Sequence, residues 1–327
     1  MSIDPTPIWY GRHPISWLLL PLSWIYCAIV WLRRLGYQRG WFDSERLPVP
    51  VILVGNLSVG GTGKTPLVLL LVELLKELGW TPGIITRGYG GRAAHWPQRV
   101  WPDSDPDQLG DEPLLLARRS GCTVVAGPDR VAAGRLAIQE GGCDILVSDD
   151  GLQHYRLARD LEIVLIDGTR GFGNGRCLPA GPLREPRGRL ASVDLVLYKD
   201  GEGPGSAMRL IPTEAVNLKY PERRRALAGF RGRPILTVAG IGHPERFFGL
   251  LEEAGLVIER GPFPDHHPYT QADGARWRGR TVIMTEKDAV KCAAFAEEDH
   301  WYLPVEAVLD PDFEARLLAK LNGFSHG

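Results

Sequence analysis

Pro48-Val49-Pro50-Val51-Ile52-Leu53-Val54-Gly55-Asn56-Leu57-Ser58-Val59-Gly60-Gly61-Thr62-Gly63-Lys64-Thr65 runs directly into Pro66-Leu67-Val68-Leu69-Leu70-Leu71-Val72-Glu73-Leu74-Leu75, and this stretch decides the fold. A short β-branched run, a glycine-rich turn and a Leu-rich segment with helical spacing follow one another, so a strand delivers a loop to a helix N-terminus. That helix end offers unpaired backbone N–H groups and the positive end of its dipole, which together suit a bound phosphate.

The residue types in the turn each have a chemical reason. Backbone N–H groups of Ser58, Val59, Gly60, Gly61, Thr62 and Gly63 can cradle phosphate oxygens, Lys64 can reach the β- and γ-phosphates of ATP, and Thr65 Oγ can ligate Mg²⁺. The strict P-loop pattern has Gly where this chain has Ser58, so flexibility moves to Gly60-Gly61. ATPases of the partitioning type carry a further lysine where this chain has Val59, which removes that class's distinguishing residue. A metal needs a carboxylate at the end of a neighbouring strand. Asp149 and Asp150, closing Asp144-Ile145-Leu146-Val147-Ser148-Asp149-Asp150-Gly151, fit a Walker B site, with an Asp-Asp-Gly turn as the plainer reading.

Outward from the loop, apolar runs predict strands at 51–54, 82–86, 123–126, 145–148, 161–166 and 195–198. Helical patterns at 64–78, 112–120 and 129–139 alternate with them. This is an α/β fold with a P-loop nucleoside triphosphate hydrolase-like core and a mainly parallel sheet. A polar, Gly-rich stretch at 200–206 suggests a boundary, after which strand patterning resumes at 235–239, 281–284 and 302–305. The expected organisation is an apolar N-terminal helix over 1–40, a P-loop core over 41–205 and a smaller C-terminal α/β subdomain over 206–327. The segment 170–189, rich in Gly, Pro and Arg, reads as a functional loop.

Composition narrows the partners. Lys plus Arg (38) nearly cancels Asp plus Glu (39), so no general field attracts nucleic acid, and an anionic partner must be held locally. Nothing in the sequence points to an obligate protein partner. The five cysteines have no CxxC pairing, which fits reduced thiols in a cytoplasmic compartment. From Pro14 to Leu32 no residue is charged, and Trp17, Trp24 and Trp31 recur every seven residues along one helical stripe, ending at Arg33 and Arg34. Trp24 in mid-segment favours a helix lying in the bilayer interface with arginines at the headgroups, a monotopic attachment; a buried core helix and a true span are the alternatives.

Phosphoryl transfer to an alcohol needs a group that accepts the hydroxyl proton. Asp111, in Gly110-Asp111-Glu112-Pro113 at a predicted helix start, is a candidate, though carboxylates there also serve simply as caps. Phe263-Pro264-Asp265-His266-His267-Pro268-Tyr269 packs two histidines and an aspartate into a proline-bounded loop that could assist it, or could be an ordinary solvated loop.

Taken together, GNLSVGGTGKTP (55–66), TRGYGG (86–91), GDEP (110–113), DDGLQH (149–154), GPLREP (181–186) and FPDHHPY (263–269) resemble the lipid A disaccharide 4′-kinase family of Gram-negative bacteria, in order and spacing, over nearly the whole chain. Ser58 belongs to that family's pattern. The resemblance implies transfer of the ATP γ-phosphate to the 4′-hydroxyl of a tetraacylated glucosamine disaccharide 1-phosphate at the cytoplasmic face of the inner membrane. It implies Asp111 and His266 as the catalytic pair and Asp149 and Asp150 at the metal and phosphates. Tyr89, Arg130, Gln153, His154, Arg184 and Glu185 are expected around nucleotide or acceptor. Arg184, Arg187 and Arg189 could bind the acceptor's existing phosphate, with a solvated basic face as the alternative for the last two. A membrane-associated regulatory P-loop ATPase and a nucleotide-binding structural module are the rival readings.

Overall fold

A computed structural model describes residues 5–11, 13–200 and 207–324. The expected boundary at 205/206 lies outside the described residues. The strands, in chain order, are β1 (Val51–Gly55), β2 (Pro82–Thr86), β3 (Gln98–Val100), β4 (Thr123–Ala126), β5 (Ile145–Asp149), β6 (Leu161–Asp167), β7 (Leu195–Lys199), β8 (Ala207–Pro212), β9 (Ala215–Asn217), β10 (Arg224–Arg225), β11 (Pro234–Ala239), β12 (Val257–Pro262), β13 (Val282–Thr285), β14 (His300–Leu303) and β15 (Val305–Leu309).

Nine of them form one sheet in the order β15-β8-β7-β6-β1-β5-β2-β4-β3. Its seven central strands are parallel, and β3 and β15 are antiparallel edges. β1, β2, β5 and β6 are buried along their whole length, as expected of strands covered by helices on both faces. The chain runs from β1 to β2 and β4 on one side and later from β6 to β8 on the other. The reversal falls at β1 and β5, so the loops at their C-terminal ends open into the crevice where α/β sheets hold ligands. Helix Lys64–Glu77 buries Leu67, Val68, Leu71, Val72 and Leu75 against this sheet, which fixes the loop before it.

The second sheet has the order β10-β9-β14-β13-β11-β12. Its four neighbours β14, β13, β11 and β12 are parallel, and its own core gathers Phe230, Phe248, Ile283 and Trp301. The strand expected over 302–305 is in reality the end of β14 and the start of β15, which belong to different sheets. Pro304 separates them, because a residue without an N–H and with fixed φ interrupts a ladder. The chain thus crosses between sheets twice, after β8 and after β14, and the crossings touch: Thr213 N donates to Pro304 O at 3.1 Å. Segment 215–303 is an insertion, and the chain returns to the first sheet with β15 and helix Pro311–Leu321, whose Phe313, Leu317 and Leu321 complete the first sheet's core.

The N-terminal apolar segment forms helices Ile15–Leu18 and Leu20–Gln38. In the longer one only Ser23 and Gly36 are buried, so it is not a core helix. Among the described residues no helix is long and apolar enough to cross a membrane. Ser23 Oγ donates to Cys177 O at 2.8 Å and Tyr26 OH to Arg184 O at 2.9 Å, tying one face to the loop 170–189. The opposite face leaves Leu22, Trp24, Ile25, Ile29, Trp31 and Leu32 exposed, together with Trp17 and Leu18.

Candidate active site

The phosphate loop is held open by its neighbours. Gly63, the helix N-cap, has φ 86°, a backbone that favours glycine, and a Cβ there would lie 2.9 Å from Lys199 Cδ. On its other side the segment Pro182–Arg184 runs along the loop: Val59 N donates to Pro182 O at 2.8 Å and Arg184 N to Leu57 O at 2.7 Å. Lys64 Nζ is held between two side-chain oxygens, 3.1 Å from Asn56 Oδ1 and 3.3 Å from Asp150 Oδ1.

The two carboxylates at the C-terminal end of β5 differ sharply. Asp150 adopts φ 49°, a strained backbone for a non-glycine, which turns its side chain toward two cations. Both its oxygens accept from Arg184 Nη1 at 3.0 Å. Burial alone would raise its carboxyl, but Lys64 and Arg184 outweigh burial and hold it down at about 2. Asp149 is fully inside, and its Oδ1 has no hydrogen-bond partner. Burial pushes this carboxyl up to about 7, with Lys64 pulling the other way. Arg130, the first residue of helix Arg130–Gly141, is buried with its Nε unpartnered and donates to Gly127 O at 2.8 Å. Burial lowers it to about 10 while Asp149 and Asp150 act against that.

A second group forms where the helix that follows Gly110 meets the loop after β12. Asp111 begins helix Asp111–Ser120 after Gly110, whose φ of 94° sharpens the turn. His266 lies at φ 59° in the loop after β12. His266 Nδ1 is 3.1 Å from Asp111 Oδ2, and the Tyr89 ring stands 5.1 Å from the imidazole. The Asp111 carboxyl is held below its usual range: burial opposes this, and the His266 hydrogen bond with Lys287 and Lys291 overcomes it. The same hydrogen bond raises His266 against burial and against Lys287. Gly242 connects the groups, since a side chain there would be 3.4 Å from Asp265 Oδ2 and 4.0 Å from Gly61 N, and Arg170 Nη2 donates to Gly242 O at 3.2 Å.

Not every expected residue faces the crevice. Glu185 is buried beneath the loop, accepting from Gln153 Nε2 at 3.0 Å and from Tyr155 OH. Arg189, suggested as a phosphate ligand, is instead buried and committed to Glu162 at 2.6 and 2.7 Å, because an interior guanidinium needs a carboxylate partner. Arg187 stacks over Phe172 at 4.3 Å. His154 packs with an unpartnered, buried Nε2, and burial together with Arg130 depresses it to about 4.

Asn56, Lys287 and Lys291 belong to these groups and were not expected. The signal for the lysines is Thr285-Glu286-Lys287-Asp288-Ala289-Val290-Lys291, two lysines one helical turn apart just past the C-terminal end of a parallel strand.

A P-loop on a parallel sheet, an open carboxylate oxygen after the adjacent strand and an Asp–His pair across the crevice define a nucleotide-dependent phosphotransferase. The family model described as Tetraacyldisaccharide-1-P 4′-kinase matches residues 15–322. The chain is 51% identical to a tetraacyldisaccharide 4′-kinase of Alkalilimnicola ehrlichii, covering 96% of each. It is likewise 51% identical to that of Pseudomonas paraeruginosa, covering 96% of this chain and 95% of the other. A crystal structure of the "apo" form of LpxK from Aquifex aeolicus in complex with ATP superposes with a TM-score of 0.79 at 29% identity, over 94% of this chain and 99% of the other. The chain belongs to the tetraacyldisaccharide 4′-kinase family.

Proposed function

We infer that the protein is the lipid A disaccharide kinase its family is named for: it transfers the γ-phosphate of ATP to the 4′-hydroxyl of a tetraacylated glucosamine disaccharide 1-phosphate, giving lipid IVA. The observation that carries this reading is the 3.1 Å contact between Asp111 and His266, a carboxylate and an imidazole that together suit a proton acceptor. A regulatory ATPase has no need of an alcohol's base.

The chain's own residues divide the work. Backbone N–H groups of 60–63 cradle the phosphates, the Val59 N–H being taken up by Pro182 O, and Lys64 leaves Asp150 for the phosphate oxygens. Arg130, with a free buried Nε beside Asp149 and Asp150, is placed to meet another phosphate oxygen. Asp111 takes the 4′-hydroxyl proton as the oxygen attacks in line, and His266 orients Asp111. The open Oδ1 of Asp149 fits a cation, so Thr65 and Asp149 would hold Mg²⁺, while Asp150 is occupied by Arg184 and Lys64. When bound, the ion neutralises charge developing on the phosphates.

The exposed apolar face of helix Leu20–Gln38 supports attachment at a membrane surface, the cytoplasmic face of the bacterial inner membrane, without a span. Its hydrogen bond to the backbone of Arg184 joins that surface to the segment that runs along the phosphate loop, which supports an acceptor delivered from the membrane side. The test is transfer of labelled γ-phosphate from ATP to defined tetraacyldisaccharide 1-phosphate by purified protein with Mg²⁺. ATP hydrolysis equal with and without the lipid, and no labelled lipid, would overturn the reading.

A further inference from the structure

Helix Glu286–Cys292 follows β13 and is N-capped by Thr285, whose side chain accepts from Asp288 N. It lies against helix Asp111–Ser120. Leu114, Leu115 and Val290 form a buried cluster between the two, and Arg119 Nη1 donates to Glu286 at 2.9 and 2.8 Å. This clamp joins the helix that begins with Asp111 to one that carries two lysines on the same face. Lys291 Nζ is 3.7 Å from Asp111 Oδ2 and 3.4 Å from Asp288 Oδ1. Lys287 Nζ is 3.2 Å from His266 Nε2, 3.2 Å from Glu112 Oε1 and 3.5 Å from Asp265 Oδ1.

The contact between Lys287 and His266 has a definite chemical sense. An ammonium has three donors and no acceptor, so a ring nitrogen against it must present its lone pair. If Nε2 accepts, the ring hydrogen is on Nδ1, and Nδ1 faces Asp111 Oδ2 as a donor. The imidazole is thereby neutral, donating to the carboxylate, with its second nitrogen covered. On Asp111, Oδ2 faces His266 Nδ1, with Lys291 an ion-pair neighbour at 3.7 Å, and Oδ1 accepts from Glu112 N at 2.9 Å. Each carboxylate oxygen has two lone pairs, so Oδ1 keeps one for an acceptor hydroxyl.

We propose that Lys287 is a positioning residue for phosphoryl transfer, fixing His266 as its Nδ1–H tautomer so that the imidazole orients Asp111 and Asp111 alone receives the proton. The proposal rests on the reading of Asp111 as the base. The charged groups facing His266 are Asp111 from its helix, Lys287 and, through Asp111, Lys291 from the opposing helix, and Asp265 from its own loop at 3.9 Å. Glu112 reaches it only through Lys287. Among these, Lys287 is the cation in direct contact with the ring, and it disfavours a second ring proton. Without it His266 keeps that proton to higher pH and holds Asp111 as a poorer base.

The test has two arms on the full-length protein. In the first, ¹⁵N-histidine spectra of wild type above its titration, with the His266 signal assigned by its loss in His266→Gln, report the tautomer; an Nδ1–H imidazole is expected, and an Nε2–H imidazole overturns the proposal. This arm needs no folded Lys287 variant. In the second, kcat and KM are followed against pH for wild type, Lys287→Met and Lys287→Arg. The methionine variant is expected to move the acid limb of kcat up by about one unit, a loss of about tenfold at pH values on that limb, with KM for ATP within twofold and the arginine variant partly restored. A uniform fall in kcat with an unmoved limb, or a rise in KM with kcat intact, shows a structural or phosphate-binding lysine and overturns it. His266→Ala assayed alongside separates the two levels: if that variant keeps full kcat, the Asp111–His266 reading itself has failed.

Discussion

Tyr26 on the N-terminal helix donates its hydroxyl to the carbonyl of Arg184, the residue whose guanidinium grips both oxygens of Asp150. One residue therefore receives the exposed helix through its backbone and the lysine of the phosphate loop, by way of Asp150, through its side chain. Arg184→Ala removes one of the two cations that hold Asp150 near 2. The Asp150 contribution to stability is present above the ordinary carboxylate value of 3.8 and is lost as pH falls toward 2. Acid unfolding of the variant is expected to begin at higher pH than in wild type, by about half a unit. Unfolding followed by circular dichroism between pH 2 and 5 checks this, and superimposable curves would refute it.

Asp149 should behave in the opposite sense. Its carboxyl is raised from 3.8 to about 7 by burial, so the native state binds a proton that the unfolded chain releases, and stability falls as pH rises between those values. Asp149→Asn in the presence of a chelator should melt higher than wild type at pH 8, by about 2–6 °C, with the difference vanishing near pH 4. Kinase turnover should nevertheless be lost. A lower Tm at pH 8 would mean that the charge is compensated in the empty site.

Glu185 offers a test of architecture against chemistry. It is buried and accepts from Gln153 and Tyr155, with Arg189 Nε 3.6 Å away. Glu185→Ala strands these partners and is expected to cost about 3 kcal/mol of stability. Urea unfolding measures that loss directly. A variant of unchanged stability whose KM for lipid rises would return Glu185 to the substrate.

The exposed face of helix Leu20–Gln38 predicts binding to phospholipid vesicles. Ile25 and Ile29, 58% and 59% exposed, touch the body of the protein little. Replacing both with Asp removes about 3–5 kcal/mol of apolar burial in a bilayer interface, so vesicle binding in a sedimentation assay should fall at least tenfold. Nucleotide binding should be unchanged. Equal sedimentation of variant and wild type would place attachment elsewhere.

The phosphate half of the site was legible because its determinants are local. Strand, glycine turn, lysine and helix lie within one stretch of chain, and Asp149 ends the strand that pairs with β1. Asp111 and the histidine loop 263–269 were candidates by residue type alone, and their pairing across the sequence entered through a family resemblance. Lys287 and Lys291 went unseen because nothing in a short helix tells which distant carboxylate its lysines will meet. Arg189 was misread for a related reason: a polar, Pro-rich stretch looks solvated, yet Glu162 lies inside β6 and draws Arg189 in. The strand pattern at 302–305 concealed a change of sheet because alternation records burial and not the identity of the neighbour.

The touching crossings at Thr213 and Pro304 also set an order of assembly. The insertion between them contains His266 and its own sheet, and every strand of that sheet has been made once Leu303 has been joined. The sheet that carries Lys64 starts far earlier but lacks an edge strand and the side chains of Phe313, Leu317 and Leu321 until the final stretch of chain arrives. The inserted sheet therefore has all its strands at a chain length at which the phosphate-binding sheet still lacks β15 and helix Pro311–Leu321.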